Sequence, residues 1–253
     1  MKIGAQLFTL KAQCQTLEDF SESLKKVADI GYTTVQVSGT CAYEPEWLDE
    51  QLKQNGLSCV LTHIPFDRLR DHIDDVIAAH DTFGCRYVGL GVGPDHLTNG
   101  GMEKMLDLAH TSGQALRQAG KRLMYHNHAM EFTHDAPDGG TRYQYLIDHT
   151  APEELGFTLD TYWVQAGGGC VTDWIEALKG RIPCVHLKDM TMNDWEQRMA
   201  PVGCGNLNWA KILPAIEAAG AEYALVEQDN TYEEDPFLCL KKSYDFLRVQ
   251  GLA

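Results

Sequence analysis

The chain has 253 residues, 44% of them hydrophobic and 23% charged, which is the make-up of a globular protein with a sizeable core. Its formal net charge of −15 repels phosphate backbones and speaks against nucleic acid as a partner. No apolar run reaches the roughly 20 residues of a membrane span. MKIGAQLFTL at the start has one lysine and a short apolar run with no cleavage site after it. It therefore reads as a first strand rather than a signal peptide, and the expectation is a cytoplasmic protein.

Taken in order, residues 2–8 form a strand candidate, and Thr16 opens a helix with Asp19 at capping-box spacing, apolar Phe20, Leu24 and Val27 on one face, and Gly31 at its end. A β-branched strand over 33–37, a helix over 45–55 stopped by Gly56, and a strand over 57–64 repeat the pattern. A helix over 69–83, a strand over 86–90, a helix over 102–119 and a strand over 121–128 continue it. Further on, residues 143–149, 173–179, 209–219 and 236–249 read as helices, and 155–159, 182–187 and 223–226 as strands. Eight strand and helix pairs without a break in composition predict a single (β/α)8 TIM barrel over residues 1–253. An open doubly wound sheet is the rival, but no GxGxxG turn follows the first strand. Gly167, Gly168 and Gly169 read as a flexible loop, and residues 137–140 and 193–206 as the longest irregular stretches, placed where loops shape a substrate pocket.

Eight cysteines occur with no CxxC. Cys59, Cys85 and Cys184 sit in or beside strand-like runs and Cys239 in a helical one, so reduced, buried thiols are expected.

Four apolar runs end in ligand-type residues. LMYHNHAMEF (123–132) hands over to His126, Asn127, His128 and Glu131, and the later runs finish on Asp160, His186 and Glu227. Taken singly each is an ordinary polar strand end; four in succession suggest one metal-binding mouth. Three carboxylates and one imidazole, from Glu131, Asp160, His186 and Glu227, favour Mn²⁺, with Mg²⁺, Co²⁺ and Zn²⁺ as alternatives. His126 and His128, two apart on a strand, would share a face, one serving as base or sugar ligand and the other packing deeper. His63 is a similar candidate. Lys188 suits either an oxyanion contact or a structural ion pair, and Phe8 and Trp163 could face a sugar ring or simply belong to the core. His72, His80, His96, His110 and His149 are given no role. Neither a GxSxG elbow nor a local Cys/His signature is present.

QLFTL, YHNHAMEF, LD at 159–160, VHLKDM at 185–190, PVGCGNLNW at 201–209 and VEQD at 226–229 resemble the xylose-isomerase-like TIM-barrel superfamily of sugar isomerases and epimerases. The likeness runs over nearly the whole chain. That superfamily also holds inosose dehydratases, lyases of 3-keto sugars and glycosides, and endonuclease IV. The resemblance implies one divalent ion on Glu131, Asp160, His186 and Glu227; in an isomerase Glu227 and Glu131 would be the base and acid pair with His128 or His186 orienting the substrate, and in a lyase His126 or His128 would take the α proton. One departure stands out. Ketose 3-epimerases resembling this chain place a glutamate at the very end of strand five, where Tyr125 and His126 stand here, and Glu131 lies further on. The function expected is proton transfer through an enediolate on a keto sugar or sugar phosphate. The alternatives are elimination from a 3-keto sugar or glycoside, and a non-catalytic sugar-binding barrel. The partner is a small sugar, with neither nucleic acid nor membrane, and pairing into a homo-oligomer through exposed helices is compatible with a barrel of this size.

Overall fold

The structure is a computed structural model that describes residues 1–98 and 100–252. Ten strands run through them: β1 (Lys2–Gln6), β2 (Thr34–Val37), β3 (Ser58–His63), β4 (Tyr87–Leu90), β5 (Arg122–His126), β6 (Gly156–Asp160), β7 (Cys184–Leu187), β8 (Asp189–Asn193), β9 (Glu196–Ala200) and β10 (Tyr223–Val226). Eight close a parallel barrel in the order β1-β10-β7-β6-β5-β4-β3-β2, and β8 pairs with β9 as an antiparallel hairpin outside it. The helices are α1 (Leu17–Ile30), α2 (Pro45–Gln54), α3 (Phe66–Asp71), α4 (Ile73–Thr82), α5 (Gly101–Gln118), α6 (Arg142–Asp148), α7 (Thr161–Ala166), α8 (Val171–Ala177), α9 (Trp209–Ala218) and α10 (Pro236–Val249). The expected (β/α)8 barrel is the fold. No helix among the described residues is long and apolar enough to cross a membrane.

Local chemistry explains the elements. At the start of α1 the Thr16 hydroxyl accepts from the Asp19 N–H at 3.1 Å, and Phe20, Leu24 and Val27 are buried along one stripe. Gly31 ends that helix at φ +121°, where an added Cβ would stand 2.5 Å from the Tyr244 hydroxyl.

Strand alternation builds the lumen in layers. Leu61, Tyr87, Met124, Cys184 and Leu225 meet in their own apolar cluster, separate from the core that joins sheet and helices. Two residues further along the same strands, and hence on the same face, come His63, Gly89, His126, His186 and Glu227. An apolar plug therefore underlies a layer of titratable side chains.

Several boundaries differ from the sequence expectation. β1 stops at Gln6, because its side chain accepts from the Phe8 N–H at 3.1 Å and turns the chain into a 3₁₀ segment over Leu7–Gln13. β5 stops at His126, two residues early. The single helix expected over 69–83 is two, broken at His72 (φ −135°, ψ 39°), so that Phe66 reaches the barrel mouth while His80 packs back on Thr62 at 2.8 Å.

The stretch 193–206, expected to be irregular, supplies β9 and a loop wrapped round Asp189. That buried carboxylate accepts from the N–H groups of Met190, Gly203, Gly205 and Leu207 at 2.8 to 3.1 Å and from Trp209 Nε1 at 2.6 Å. A Cβ on Gly205 would lie 2.4 Å from Asp189 Oδ1, so only glycine allows this approach. Asp189→Ala strands these donors and is expected to cost about 3 kcal/mol in urea unfolding; an unchanged midpoint and slope would contradict this account.

All eight cysteines are unpaired. Cys14, Cys59, Cys85, Cys184 and Cys239 are buried, whereas Cys170 and Cys204 are exposed, outside the apolar runs where thiols were expected. Titration of the denatured, unreduced protein should find eight free thiols, and titration of the native protein about two reacting fast.

Candidate metal centre and active site

The C-terminal ends of β5, β6, β7 and β10 bring together His126, Asp160, His186 and Glu227, all buried, with one potential ligand atom from each lying within 4.8 Å of the others. His126 Nε2 stands 3.2 Å from Asp160 Oδ2, and His186 Nδ1 stands 2.9 Å from Glu227 Oε2. Gln36 on β2 accepts from His186 Nε2 at 2.6 Å, so the other ring nitrogen, Nδ1, is the one presented to the cluster. Asn127 steadies the opposite side, its carbonyl accepting from the Asp160 N–H at 3.0 Å.

Lys188, one residue past the end of β7, packs against this group, fully buried. Its ammonium is 3.0 Å from Asp160 Oδ2, 2.9 Å from Glu227 Oε2 and 2.8 Å from Asp229 Oδ1. Burial opposes every charge here, and the carboxylates overcome it for Lys188, whose pKa is raised. Burial likewise acts to raise Asp160 and Glu227, but the Lys188 ammonium and the neighbouring imidazoles hold both below the usual carboxylate range. His186 is lifted to about 9 by Glu227 and Asp160 against its own desolvation. Asp229 goes the other way, raised by burial and by Glu227.

A cavity of about 340 Å³ opens above the cluster, at the low end of the roughly 300–1,000 Å³ of small-molecule sites. His63, His126, His128, Glu227 and Asp229 face it, together with Ser38 and Phe8. Burial, with help from nearby imidazoles, keeps His63 well below its normal pKa and takes His128 down to about 3, so both rings are neutral near pH 7. The Ser38 hydroxyl is 3.2 Å from His63 Nδ1, and His63 Nε2 has no protein partner among the described residues. Trp163 stacks behind His128, ring centroids 5.4 Å apart, and under the Lys188 ammonium at 5.3 Å.

The sequence matches the family described as xylose isomerase-like TIM barrel over residues 24–248. The chain belongs to that family. No curated protein sequence matches it. Among solved structures, a sugar phosphate isomerase/epimerase from Parabacteroides distasonis aligns with a TM-score of 0.81 at 20% identity, over 98% of this chain and 93% of that one. An L-ribulose 3-epimerase aligns at 0.75 and 17% identity over 98% and 94%. The probable 3-DHS dehydratase AsbF from Bacillus anthracis aligns at 0.76 and 15% over 98% and 99%. At such identities the likeness is one of fold.

Within the xylose isomerase-like frame, Glu131 is the residue that the structure moves. It was expected among the ligands, but its Oε1 accepts from the Tyr125 hydroxyl at 2.7 Å and its Oε2 from the His128 N–H at 2.7 Å, both inside a buried turn over Ala129–Phe132. His126 stands in the cluster instead, because β5 ends there and the chain then turns through Asn127. The pairing of His126 with His128 on one strand face also lapses, since His128 lies beyond the strand, although the two rings remain 4.7 Å apart. Glu131 and Tyr125 thus hold the turn that aims His128. Asp229 and Gln36 were not singled out from the sequence; VEQD contained Asp229, no local signal marked Gln36, and Asn127 stood at the end of the fifth run without a role assigned to it.

The four donors fit a first-row divalent ion. Two imidazole nitrogens and two carboxylates are a common donor set, opposite ligands at bonds of ~2.1 Å stand about 4 Å apart, and the 4.8 Å spread closes with small side-chain movement. An ion on His186 Nδ1 has to displace a proton held at about 9. Calorimetry on metal-free protein should therefore give an affinity for Mn²⁺ or Zn²⁺ that rises with pH up to about 9, by roughly tenfold per unit, and no binding in the His186→Ala, Glu227→Ala double variant. Full occupancy in that folded variant would remove the assignment.

Proposed function

We propose that this protein is a metal-dependent enzyme that removes the proton next to the carbonyl of a keto sugar, acting as a sugar isomerase or epimerase. The observation that carries the reading is the buried cluster His126, Asp160, His186 and Glu227 at the barrel mouth, under a cavity that Glu227 and His128 face. Its two imidazoles favour Mn²⁺, Co²⁺ or Zn²⁺ over Mg²⁺. The ion would supply Lewis-acid polarisation of the substrate carbonyl and its neighbouring hydroxyl, acidifying the α carbon. Glu227, ionised by its buried cations, takes the α proton and returns it to the adjacent carbon, which is isomerisation; epimerisation needs the new proton delivered from the opposite face of the sugar, the His128 side. His128 approaches from β5, held by the Glu131 latch, and as a neutral imidazole hydrogen-bonds the sugar hydroxyl or the enediol. Lys188 acts by keeping Glu227 and Asp160 ionised. Ser38 and His63 hold a further hydroxyl. A reducing cytoplasmic setting suits the eight unpaired thiols.

Elimination is the second reading, and one observation favours it. Glu227 and Asp229 both face the cavity from the end of β10, and their surroundings push their pKa values apart, Glu227 down and Asp229 up. Neighbouring carboxyl groups separated in this way serve as base and acid. Glu227 would take the α proton while Asp229 protonates the departing β oxygen, so that a C–H and a C–O bond break and a C=C bond forms.

The test follows solvent deuterium into the α position of a panel of keto sugars and 3-keto glycosides by NMR, with products separated. Metal-loaded protein should exchange, metal-free protein should not, and Glu227→Gln should lower exchange by about 10³-fold, toward the upper range for a general base. Under the isomerase reading Asp229→Asn keeps most of the turnover; under elimination it retains exchange and loses product by about a hundredfold. Exchange that survives Glu227→Gln would overturn both.

A further inference from the structure

We infer that the substrate of this site is an unphosphorylated sugar bearing an apolar substituent, bound with its polar end over the metal cluster and the substituent against an apolar shelf on the opposite half of the mouth. The inference rests on the keto-sugar reading and adds the chemical class.

The two halves of the mouth differ. β5, β6, β7 and β10 supply every ligand and every carboxylate of the site. The segments after β1, β3 and β4 supply Phe8, Ile64, Pro65, Phe66 and Val92, with buried Leu90 at the end of β4 behind them. Val92 is 42% exposed, and Phe8, Ile64 and Phe66 are only partly covered by the protein. One sugar ring covers one aromatic face; five apolar residues along one wall offer more surface than a bare monosaccharide can use.

Among the described residues no lysine or arginine lines the cavity. The Lys188 ammonium and a divalent ion together do no more than balance Asp160, Glu227 and Asp229. Beside the shelf, the Lys11 ammonium donates to the Asp229 backbone carbonyl at 2.5 Å and lies over the Phe8 ring at 4.4 Å, which holds it outside the cavity lining without neutralising it. Arg70, which lies 5.5 Å from the Phe66 centroid, is tied to Asp71 at 2.6 Å and Asp67 at 3.1 Å. Barrels that bind phosphate often do so on backbone N–H groups in the loops after the last two barrel strands. In this chain the N–H groups of Gly203, Gly205 and Leu207 in that region all point to Asp189. The Phe8 N–H is likewise taken, by Gln6.

Matched triples built on a 2-ketohexose and on 3-keto-glucose, each unmodified, phosphorylated at C6, or carrying a phenyl group through oxygen, test the inference with metal-loaded protein. Binding is read by calorimetry and α-proton exchange by NMR, so that the class of substrate and the chemistry fail separately. The phenyl derivative should bind roughly tenfold or more tighter than the unmodified sugar, as burial of a ring predicts, and the phosphate at least as much weaker than it. Phe66→Ala should shrink the phenyl preference to about threefold or less. A phosphate that binds as well as the unmodified sugar, or a phenyl group that confers nothing, overturns the inference whether or not exchange occurs. The expected ranking in binding with no exchange from any sugar upholds it and removes the enolisation reading instead.

Discussion

Two carboxylates that are almost wholly cut off from water, Asp160 and Glu227, set the terms for the rest of the mouth. Neither stays ionised in such a place without a cation in contact. Lys188 supplies one, held within 3.0 Å of both. A second positive charge is provided either by protonated His186 or by an ion that replaces its proton, and these two states exclude each other at Nδ1. Gln36 leaves only that nitrogen available. The arrangement depends in turn on the plug below it: Met124, Cys184 and Leu225 fill the lumen one layer down, so water does not reach the charges from that end.

Much of this was legible in the sequence because period-two strands and 3.6-residue helices leave strong patterns, and a barrel repeats them eight times. Asp160, His186 and Glu227 could be read because each lies at, or one residue beyond, the end of an apolar run. Glu131 misled because its distance from the run was bridged by assuming that the strand continued to His128. A strand exit is decided by a local competition: here the Asn127 carbonyl takes the Asp160 N–H and the Glu131 carboxylate takes the His128 N–H. Neither contact leaves a mark on periodicity. The hairpin was missed for a related reason, since DMTMN and EQRMA carry no sustained apolar alternation and fold against Asp189 and Tyr162 rather than into the core. Gln36 was invisible because its role comes from β7, 150 residues away in the chain.

The position of His126 bears on the proposed chemistry through charge. A carboxylate at the end of β5 would leave the site with one more negative charge than Lys188 and a divalent ion can balance. With an imidazole there, the balance closes with Asp229 included, and the carboxylate that does face the substrate, besides Glu227, lies on β10. The charge thus lies on the β10 side of the mouth, whereas the resemblance to ketose 3-epimerases implies a glutamate at the end of strand five instead. An ion held by two imidazoles and two carboxylates also retains more of its charge than one held by three carboxylates, and so polarises a carbonyl more strongly.

That placement sets which faces of a bound sugar meet a proton carrier. Opposed carboxylates can remove a proton from one face and deliver it to the other, which is inversion. Glu227 and Asp229, two residues apart just past the end of β10, line the cavity from one side, and the His128 imidazole lines it from the β5 side. A proton removed and another delivered from the same side suit a shift to the adjacent carbon or the loss of a neighbouring oxygen better than inversion at a single carbon. The apolar wall on the β1, β3 and β4 side lies apart from these carboxylates and suits a substituent of the sugar, while a departing oxygen has to stay within reach of Asp229.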